Sequence, residues 1–567
     1  MSDVLRVGNC SGFYGDRLTA MRELLEGGEI DVITGDYLAE LTMLILGKDQ
    51  LKEPRLGYAR TFVRQVADCL ELALERGVKI VANAGGLNPA GLVDQLTEVA
   101  AGLGLSPRIA WVDGDNVVAR AAELGLDRAL TANAYLGAFG IARALESGAD
   151  IVVTGRVTDA SVVVGPAVWR FGWTPERYDE LAGAVVAGHV IECGTQATGG
   201  NFSGFLDLPR DGQPLGFPIA ELSVDGSCVI TKHAGTGGLV SVDTVTAQLM
   251  YEVQSQHYLG PDVTVDLTTI ELTDDGPDRV RVSGVRGQAP PPQLKVCVNE
   301  LGGFRNQMEF VLTGLDIEAK AAWVRAQLDG RIAAESVTWS LGRLPAPDSE
   351  TEEGASCLLR CVVKDPDAAV AGKAFTSAVV ELALASYPGF TMTTPPGPAS
   401  PYGVYRPAYV DRDVVTHTVH LPDGSTEVIP DPPVATQPVP TADPGVTGPP
   451  DDAITRRIAL GTFVHARSGD KGGDANVGLW VRAGERQAAQ RQWLAHFVDA
   501  DRVRRLVPEA ADLDIEVFAL PNLGGVNILV HGLLGEGVAA STRFDPQAKG
   551  LGEWLRSRLV DIPEELL

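Results

Sequence analysis

The chain has 567 residues, of which 45% are hydrophobic and 21% charged, a composition typical of globular proteins. Its formal net charge is −27, from 74 acidic against 47 basic side chains, and basic residues form no block. This charge excludes nucleic acid and anionic membranes as partners, because both need clustered Lys and Arg. The seven cysteines are scattered and no long apolar run occurs, so we expect reduced thiols, no signal peptide, no membrane span and a cytoplasmic protein.

Short apolar runs alternate with helical patterns through residues 1–214. Strands rich in Val and Ile, with no polar face, indicate a parallel sheet covered by helices. We therefore predict an α/β, Rossmann-like part here. The predicted strands are 4–9, 30–36, 78–86, 108–115 and 149–161, and the predicted helices are 16–28, 58–77, 89–104 and two across 116–147.

Residues 215–429 are richer in β patterns, and we predict a mixed β-rich region that completes one main body, 1–429. Residues 430–452 are crowded with proline, which predicts an extended linker. The pattern of residues 453–567 is two strands, a helix, two strands and a helix. It predicts a separate small α+β domain, ferredoxin-like in type.

Polar or glycine-rich stretches follow each predicted strand of the first part. In open parallel sheets, ligands bind beyond the carboxyl ends of the strands. Turn geometry and helix capping explain any one such stretch, but they explain less well Asn83, Arg156 and Asp159 together. We predict a site at this edge, with Asp159 and two other carboxylates, Asp16 and Asp36, as candidate catalytic acids or bases.

The segment HVIECGTQATGGNF, 189–202, contains two ionisable side chains, His189 and Glu192, that share a helix face. They are candidates for an acid–base pair or a metal site, although a capped helix end explains them as well. The second histidine of a zinc helix is missing, so we do not predict a metal. Cys193 is the one plausible thiol nucleophile, but a helix C-terminus raises a thiol pKa and argues against that role. The uncharged loop that follows offers donors for an oxygen-rich substrate from Thr195, Thr198 and Asn201.

In KHAGTGGLVSVDTVTAQ, 232–248, a strand leads through a glycine-rich turn into a helix. Backbone N–H groups of Gly235, Gly237 and Gly238 are candidates for binding an anion, with His233 as a candidate acid or base. A tight turn with a structural histidine is the alternative. The third glycine of the dinucleotide fingerprint is replaced by Val240, and no phosphate-binding P-loop occurs, so we predict no cofactor other than coenzyme A as part of a substrate.

The segment HARSGDKGGDANVGL, 465–479, places Arg467, Asp470 and Lys471 among glycines. Lys and Arg on such a loop can bind a phosphate or carboxylate, with Lys471 exposed. The alternative is a simple hairpin between strands 456–465 and 476–482, with turns at SGD and KGG. We favour the anion site.

Six motifs taken together resemble the acyclic terpene utilisation family, and they run in order along nearly the whole chain. The segment after the Pro-rich linker resembles that family's small C-terminal domain. The resemblance implies a context of terpenoid and branched-acid degradation through coenzyme A thioesters, and it supplies no residue roles. The motifs are GNCSGFYGDR, NAGGLNP, GRVTDAS, ECGTQATGGNF, HAGTGGLVS and RSGDKGGDAN.

We therefore expect an enzyme of lyase, hydratase or isomerase type that acts on a branched or terpenoid-derived acyl-CoA or related carboxylate. It would use acid–base chemistry without a redox cofactor, and would form a homo-oligomer. The alternative is a non-catalytic binding or assembly subunit that serves a neighbouring acyl-CoA carboxylase or dehydrogenase.

Overall fold

The computed structural model describes residues 4–435 and 454–567. The chain folds into two compact units, one formed by 1–299 with 405–538 and 545–567, the other by 300–404 with 539–544. Most of the linker predicted at 430–452 lies outside the described residues, and the boundaries of the predicted domains stay a prediction. No helix within the described ranges is long and apolar enough to cross a membrane.

The described residues form thirteen α-helices, which alternate with strands in the first half of the chain. They are α1 Ala20–Gly27, α2 Glu40–Lys52, α3 Arg60–Glu75, α4 Pro89–Gly102, α5 Phe139–Glu146, α6 Ser161–Phe171, α7 Tyr178–Ile191, α8 Val242–Leu249, α9 Ile317–Leu328, α10 Phe375–Val380, α11 Gln487–Phe497, α12 Ala500–Leu506 and α13 Leu551–Ser557.

The strands of the described residues form several sheets. They are β1 Val4–Asn9, β2 Val32–Gly35, β3 Lys79–Ala82, β4 Ile109–Asp113, β5 Ala129–Ala134, β6 Ile151–Thr154, β7 Pro218–Ser223, β8 Cys228–Lys232, β9 His257–Leu259, β10 Thr264–Asp266, β11 Glu271–Asp274, β12 Val280–Ser283, β13 Arg286–Gln288, β14 Gln293–Thr313, β15 Ser336–Leu341, β16 Ser356–Asp365, β17 Thr391–Met392, β18 Ser400–Asp411, β19 Thr418–His420, β20 Thr426–Val428, β21 Thr455–Ala459, β22 Val464–Lys471, β23 Asp474–Val481, β24 Ile515–Leu520, β25 Gly525–Val530 and β26 Leu559–Pro563.

The main sheet of the first unit has the strand order β11-β12-β8-β7-β1-β2-β3-β6-β4-β19-β20. The central strands from β1 to β4 run parallel, and the strands added on both sides are antiparallel. Val7, Val32, Val81 and Val152 are fully buried in its core. The prediction of a parallel α/β part that continues into a mixed β-rich region is confirmed.

One predicted pair of helices, across 116–147, is wrong. This stretch contains a short 3-10 turn at Val118–Arg120, the strand β5 and a single helix, α5. Strand β5 pairs with β14, and its Ala132 and Ala134 are buried beside Val296. Alanine favours helices in isolation, so the local pattern indicated a helix where tertiary pairing imposes a strand.

The C-terminal part of the first unit is built on the antiparallel sheet β22-β23-β25-β24. One face packs its apolar side chains against α11 and α13. The other face lies against the segment after α8, where Asn476 Oδ1 accepts the backbone N–H of Glu252 at 2.7 Å. Asn476 and Asn527 donate to the carbonyl of Val253 at 3.2 and 3.0 Å. These buried amides fix the sheet on the main body.

The second unit contains strands in the order β15-β16-β14-β17 together with the helices α9 and α10. Its own apolar core includes Phe310, Leu359 and Phe375, each at most 1% exposed. A π-helical turn at Val370–Ala374 directly precedes α10.

Candidate functional site

Polar side chains line the edge of the main sheet where its parallel strands end. Asn83, directly after β3, donates to Asp36 Oδ1 at 2.5 Å and accepts the N–H of Tyr37 at 2.8 Å. Asp36 is 5% exposed. Burial and the nearby charge of Asp159 raise its pKa well above the usual range, against the opposing effect of Arg156. Asp36 is therefore held toward its protonated form.

Arg156 follows β6 and is 1% exposed. It donates to Asp159 Oδ1 at 2.6 Å and to the carbonyl of Leu38 at 3.2 Å. Its guanidinium carbon lies 4.3 Å from the centroid of the Tyr135 ring, and its backbone N–H donates to Asp115 at 2.9 Å. The arginine is thus fixed on four sides and supplies a permanent positive charge at the strand ends.

The end of α7 is tied to the same edge by Asn9, the last residue of β1. Its side-chain amide donates to the carbonyls of Ile191 and Glu192 at 2.8 and 2.9 Å. Helix α7 is buried on all sides from Leu181 to Ile191, so its C-terminal turn is held firmly inside the protein. This contact positions His189 and Glu192 near the strand ends.

His189 Nδ1 and Glu192 Oε1 lie 3.1 Å apart, and both side chains are nearly inaccessible. Burial raises the pKa of Glu192 to about 7, with His189 opposing the shift. Burial acts to lower the pKa of His189, but the charge of Glu192 outweighs it and raises that pKa. Nε2 of His189 and Oε2 of Glu192 have no hydrogen-bond partner among the described residues. The pair can exchange a proton near neutral pH, as acid–base catalysis requires.

The segment HARSGDKGGDANVGL forms a hairpin in which β22 and β23 pair from Val464↔Val481 to Lys471↔Asp474. The shorter predicted strands and the separate SGD turn are wrong, because SGD lies within β22. Gly472 takes a φ of +67°, and a Cβ there would lie 2.5 Å from the ring of Tyr405. The glycine therefore serves both the turn and the close approach of an aromatic ring.

Alternate residues of β22 face the main body, since side chains two apart lie on the same side of a strand. Arg467 has its guanidinium carbon 4.2 Å from the centroid of Tyr251. It also donates to the side chain of Gln196 and, at 3.3 Å, to the carbonyl of Asn201. Lys471 lies on the same face, two positions beyond Gly469.

Lys471 is half-buried, and the prediction of an exposed loop cation is wrong because the hairpin strands reach further than expected. Burial acts to lower its pKa, but the charges of four carboxylates outweigh that effect and raise it. Lys471 therefore stays an ammonium group. The four carboxylates, in decreasing order of effect, are Glu252, Glu40, Asp159 and Glu192.

Glu252 adopts a left-handed backbone conformation with φ +58°, which costs a residue other than glycine about 1–3 kcal/mol. The hydrogen bond from its N–H to Asn476 holds it in that conformation. Asp470, beside Lys471, has its pKa raised to about 7 by burial and by Glu252, with Lys549 opposing. Asp470 lies on the opposite face of β22 from Lys471, yet the charge of Glu252 acts on both side chains.

A cavity of about 380 Å³ opens beside this cluster, with Lys471, Lys295 and Tyr405 in its wall. Lys295 Nζ lies 3.7 Å from Glu40 Oε1, the same oxygen that accepts the Tyr135 hydroxyl at 3.2 Å. Burial acts to raise the pKa of Glu40, but Lys295, Arg156 and Lys471 outweigh it and lower that pKa to about 2. The cavity wall therefore contains two lysines, and Glu40, a carboxylate that stays ionised, lies beside Lys295. Its remaining lining residues are Gln254, Arg406, Pro407, Tyr409, Gly473, Asp474, Gly535 and Glu536.

The glycine-rich stretch before α8 makes several contacts with the surrounding chain, and its predicted role in anion binding stays a prediction. His233 packs against Gly27 and Gly28, and its Nε2 lies 3.0 Å from the carbonyl of Leu24. Gly237 donates its N–H to Pro214 at 3.0 Å. Gly235 is exposed, and Gly238 packs closely on the carbonyl of Thr198. The structure places none of these residues in the cavity wall.

Four other predicted residues also make local contacts. Asp16 accepts the N–H groups of Gly12 and Arg17 at 2.9 and 2.7 Å. The Thr198 hydroxyl donates to the carbonyls of Thr195 and Gly216 at 3.0 and 2.7 Å. Asn201 is exposed and takes a φ of +56°. These contacts build the turns around the end of α7.

Cys193 follows Glu192, and burial raises its thiol pKa well above the usual range. This agrees in direction with the shift expected from a helix C-terminus. Within the described ranges, no group of three or more His, Cys, Asp or Glu side chains is arranged to hold a metal ion.

Five residues of the site were not predicted from the sequence, and they are Glu40, Tyr135, Glu252, Lys295 and Tyr405. Glu40 begins α2, a helix whose apolar residues do not gather on one face, so no helix was predicted there. Lys295 lies within the long strand β14, and Tyr405 within β18. Tyr135 and Glu252 sit just beyond the ends of β5 and α8. No local pattern distinguishes these residues, because they converge only through the fold.

Comparison with protein families gives two matches. A family model described as acyclic terpene utilisation family protein AtuA matches residues 5–421. A second, described as the AtuA ferredoxin-like domain, matches residues 458–561, which confirms the predicted type of the C-terminal domain. No curated protein matches the chain significantly. Since the first match covers well over half of the sequence, the chain belongs to the acyclic terpene utilisation family AtuA and carries that family's ferredoxin-like domain.

Proposed function

We propose that the chain is an enzyme that acts on a branched or terpenoid-derived acyl-CoA, or a related carboxylate, by acid–base chemistry of lyase, hydratase or isomerase type. The observation that carries the proposal is the cavity whose wall contains Lys471 and Lys295, with the Glu40 carboxylate 3.7 Å from Lys295. Membership of a family for acyclic terpene utilisation supports the substrate class.

The anionic part of the substrate would bind to the lysines. The net charge of the chain is −27, so an anion is repelled by most of the surface and needs a local positive field. Lys471 and Lys295 in the cavity wall are the side chains that would provide that field, whereas Arg406 in the same lining pairs with Glu536 at 3.3 Å. A carboxylate or a developing oxyanion is stabilised by such fixed charges.

The proton transfers would use carboxyl groups whose pKa values differ strongly. Burial raises the pKa values of Glu192 and Asp470 to about 7, while neighbouring cations lower that of Glu40 to about 2. Environments that separate the pKa values of like groups are typical of paired acids and bases. At neutral pH, one carboxyl can therefore donate a proton while another stays ionised.

The cavity volume of about 380 Å³ lies toward the small end of small-molecule sites, which span roughly 300–1,000 Å³. Such a volume suits the acyl or carboxylate end of the substrate. The nucleotide part of a coenzyme A thioester would remain outside.

The experiment incubates the purified protein with a panel of branched acyl-CoA thioesters and their free acids, and follows masses over time. A change of substrate mass or isomer composition without any added protein supports the enzyme. Binding without turnover supports instead the non-catalytic subunit, and absence of binding across the panel contradicts the proposed substrate class. Lys471→Met should bind more weakly, and Lys52→Met, which removes an exposed lysine at the end of α2, is its control for the loss of one positive charge.

A further inference from the structure

Among the residues that the structure describes, the cavity wall contains two carboxylates, Asp474 and Glu536. Glu536 pairs with a cation of the same wall, Arg406, at 3.3 Å. Asp474 pairs with a histidine, and its Oδ2 lies 3.1 Å from His531 Nδ1. The two carboxylates therefore have different partners, and Asp474 is the one that contacts a group able to titrate near neutral pH.

Asp474 lies directly opposite Lys471 in the hairpin, since these two residues form the last pair of the ladder between β22 and β23. Residues directly opposite each other in an antiparallel pair place their side chains on the same face of the sheet. Both residues also line the cavity. The turn at Gly472 and Gly473 thus brings one cation and one carboxylate to the cavity as neighbours.

The Asp474 carboxylate is held at both oxygens. Its Oδ1 accepts the backbone N–H of Gly532 at 2.8 Å, and its Oδ2 contacts the His531 ring. The other ring nitrogen of His531, Nε2, lies 3.3 Å from Glu516 Oε2. A carboxylate oxygen can accept more than one hydrogen bond, and the Asp474 side chain is 27% exposed. The carboxylate is therefore fixed in orientation and still open to a ligand.

We propose that Asp474 is the catalytic base of this cavity and that His531 is its positioning residue. The role rests on the proposed function and adds a carboxyl group that lies in the cavity wall. Asp474 takes a proton from the carbon next to the carbonyl of a substrate whose oxygen is held by Lys471. The C–H bond breaks, its electron pair enters the enolate, and the proton joins a carboxylate oxygen. Asp474 then returns a proton to a carbon of the product.

The charges around the pair support these roles. Burial acts to lower the pKa of His531, but the hydrogen bond to Glu516 and the charge of Asp474 outweigh it and raise that pKa. The imidazolium form has two N–H donors, so it can donate to both carboxylates together. A base held in one orientation meets the substrate proton without a search, and the ammonium of Lys471 stabilises the oxyanion that proton removal creates.

The first test follows exchange of the proton next to the carbonyl of isovaleryl-CoA in D₂O, together with binding by isothermal titration. The native protein should bind the thioester and introduce deuterium. Asp474→Asn keeps an acceptor for Gly532 but removes the base, so it should lose about a hundredfold or more of the exchange rate. It should bind the thioester at least as tightly as the native protein, because a negative charge leaves the wall.

A matched control comes from another carboxylate–histidine pair. Asp113 lies 3.0 Å from His420 and is not among the residues that line the cavity. Asp113→Asn should therefore change neither the exchange rate nor the affinity. Circular dichroism checks that each variant is folded.

The second test concerns His531. His531→Ala removes the donor to Asp474 and should lower the exchange rate about tenfold or more at unchanged affinity. His531→Gln keeps an N–H donor and should recover most of that loss. A merely structural contact would lower the stability of His531→Ala and leave the exchange rate of the folded protein unchanged, and this result overturns the positioning role.

The outcomes separate the base from the site. Exchange that persists in folded Asp474→Asn overturns the base role, as does native protein that binds the thioester without exchange; both leave the proposed substrate class intact. Absence of binding by the native protein overturns the proposed function and the base role with it.

Discussion

Replacing Lys471 by methionine tests the site most directly. The substitution keeps an unbranched side chain but removes the ammonium on which the charges of Glu252, Glu40, Asp159 and Glu192 act. A charge-assisted hydrogen bond is worth about 1.5–3 kcal/mol, so affinity for an anionic acyl ligand should fall about 10- to 150-fold. Binding should not vanish, because Lys295 remains in the cavity wall.

Stability should fall as well. Removing one partner of a fully buried charge cluster costs about 3–5 kcal/mol, and since Lys471 is only half-buried we expect about 1–3 kcal/mol. Without the ammonium, the pKa of the buried Glu192 should rise further above its unfolded value. The ionised form is then the unfavourable one, so the loss should be larger at pH 8 than at pH 6.

Isothermal titration with an acyl-CoA that binds the native protein measures the first effect, and urea unfolding at pH 6 and pH 8 measures the second. Lys52→Met is the matched control and should change neither. The anion site would be refuted by a Lys471→Met affinity within about twofold of native, given folded protein. A stability loss that is independent of pH would refute the coupling to Glu192.

Three further predictions concern neighbouring residues. Burial raises the pKa of Asp115 from 3.8 to about 6, a rise that corresponds to about 3 kcal/mol of destabilisation present above pH 6 and absent below pH 4. Between pH 4 and pH 6, the stability of Asp115→Asn relative to the native protein should therefore rise by up to about 3 kcal/mol. Urea unfolding at both pH values measures this change. A stability difference between variant and native protein that is the same at both pH values would contradict the prediction. Gly472→Val should lower both ligand affinity and melting temperature, because its Cβ meets Tyr405 and its φ is positive; a variant that binds as native would show that this contact is dispensable. We expect His189 to act without a metal ion. Dialysed protein should then hold less than about 0.2 metal ions per chain, and a chelator should not change its stability. A stoichiometric metal ion that is lost in His189→Ala would contradict this expectation.

Local sequence patterns predicted much of the fold because they record burial directly. Val- and Ile-rich runs such as 78–86 mark strands covered on both faces, and the polar residues that follow them, Asn83 and Arg156 among them, do lie at one edge of the sheet. His189 and Glu192 were predicted as a pair because helical spacing alone places them on one face. In each case, the deciding interaction lies within a few residues along the chain.

Tertiary structure decided what depends on contacts between distant segments. The alanine-rich stretch 129–134 is a strand because β14 pairs with it, and helix propensity is too weak to oppose that pairing. Lys471 is predicted in an exposed loop, yet it is half-buried at the end of β22, where the charges of Glu252 and Glu40, residues more than two hundred positions away, act on it. Lys295 and Tyr405 carry no local signal at all. The charge and solvation of a side chain depend on its neighbours in space. The sequence therefore predicted one cation of the cavity, Lys471, whereas Lys295 and Tyr405 could be placed beside it only from the tertiary structure.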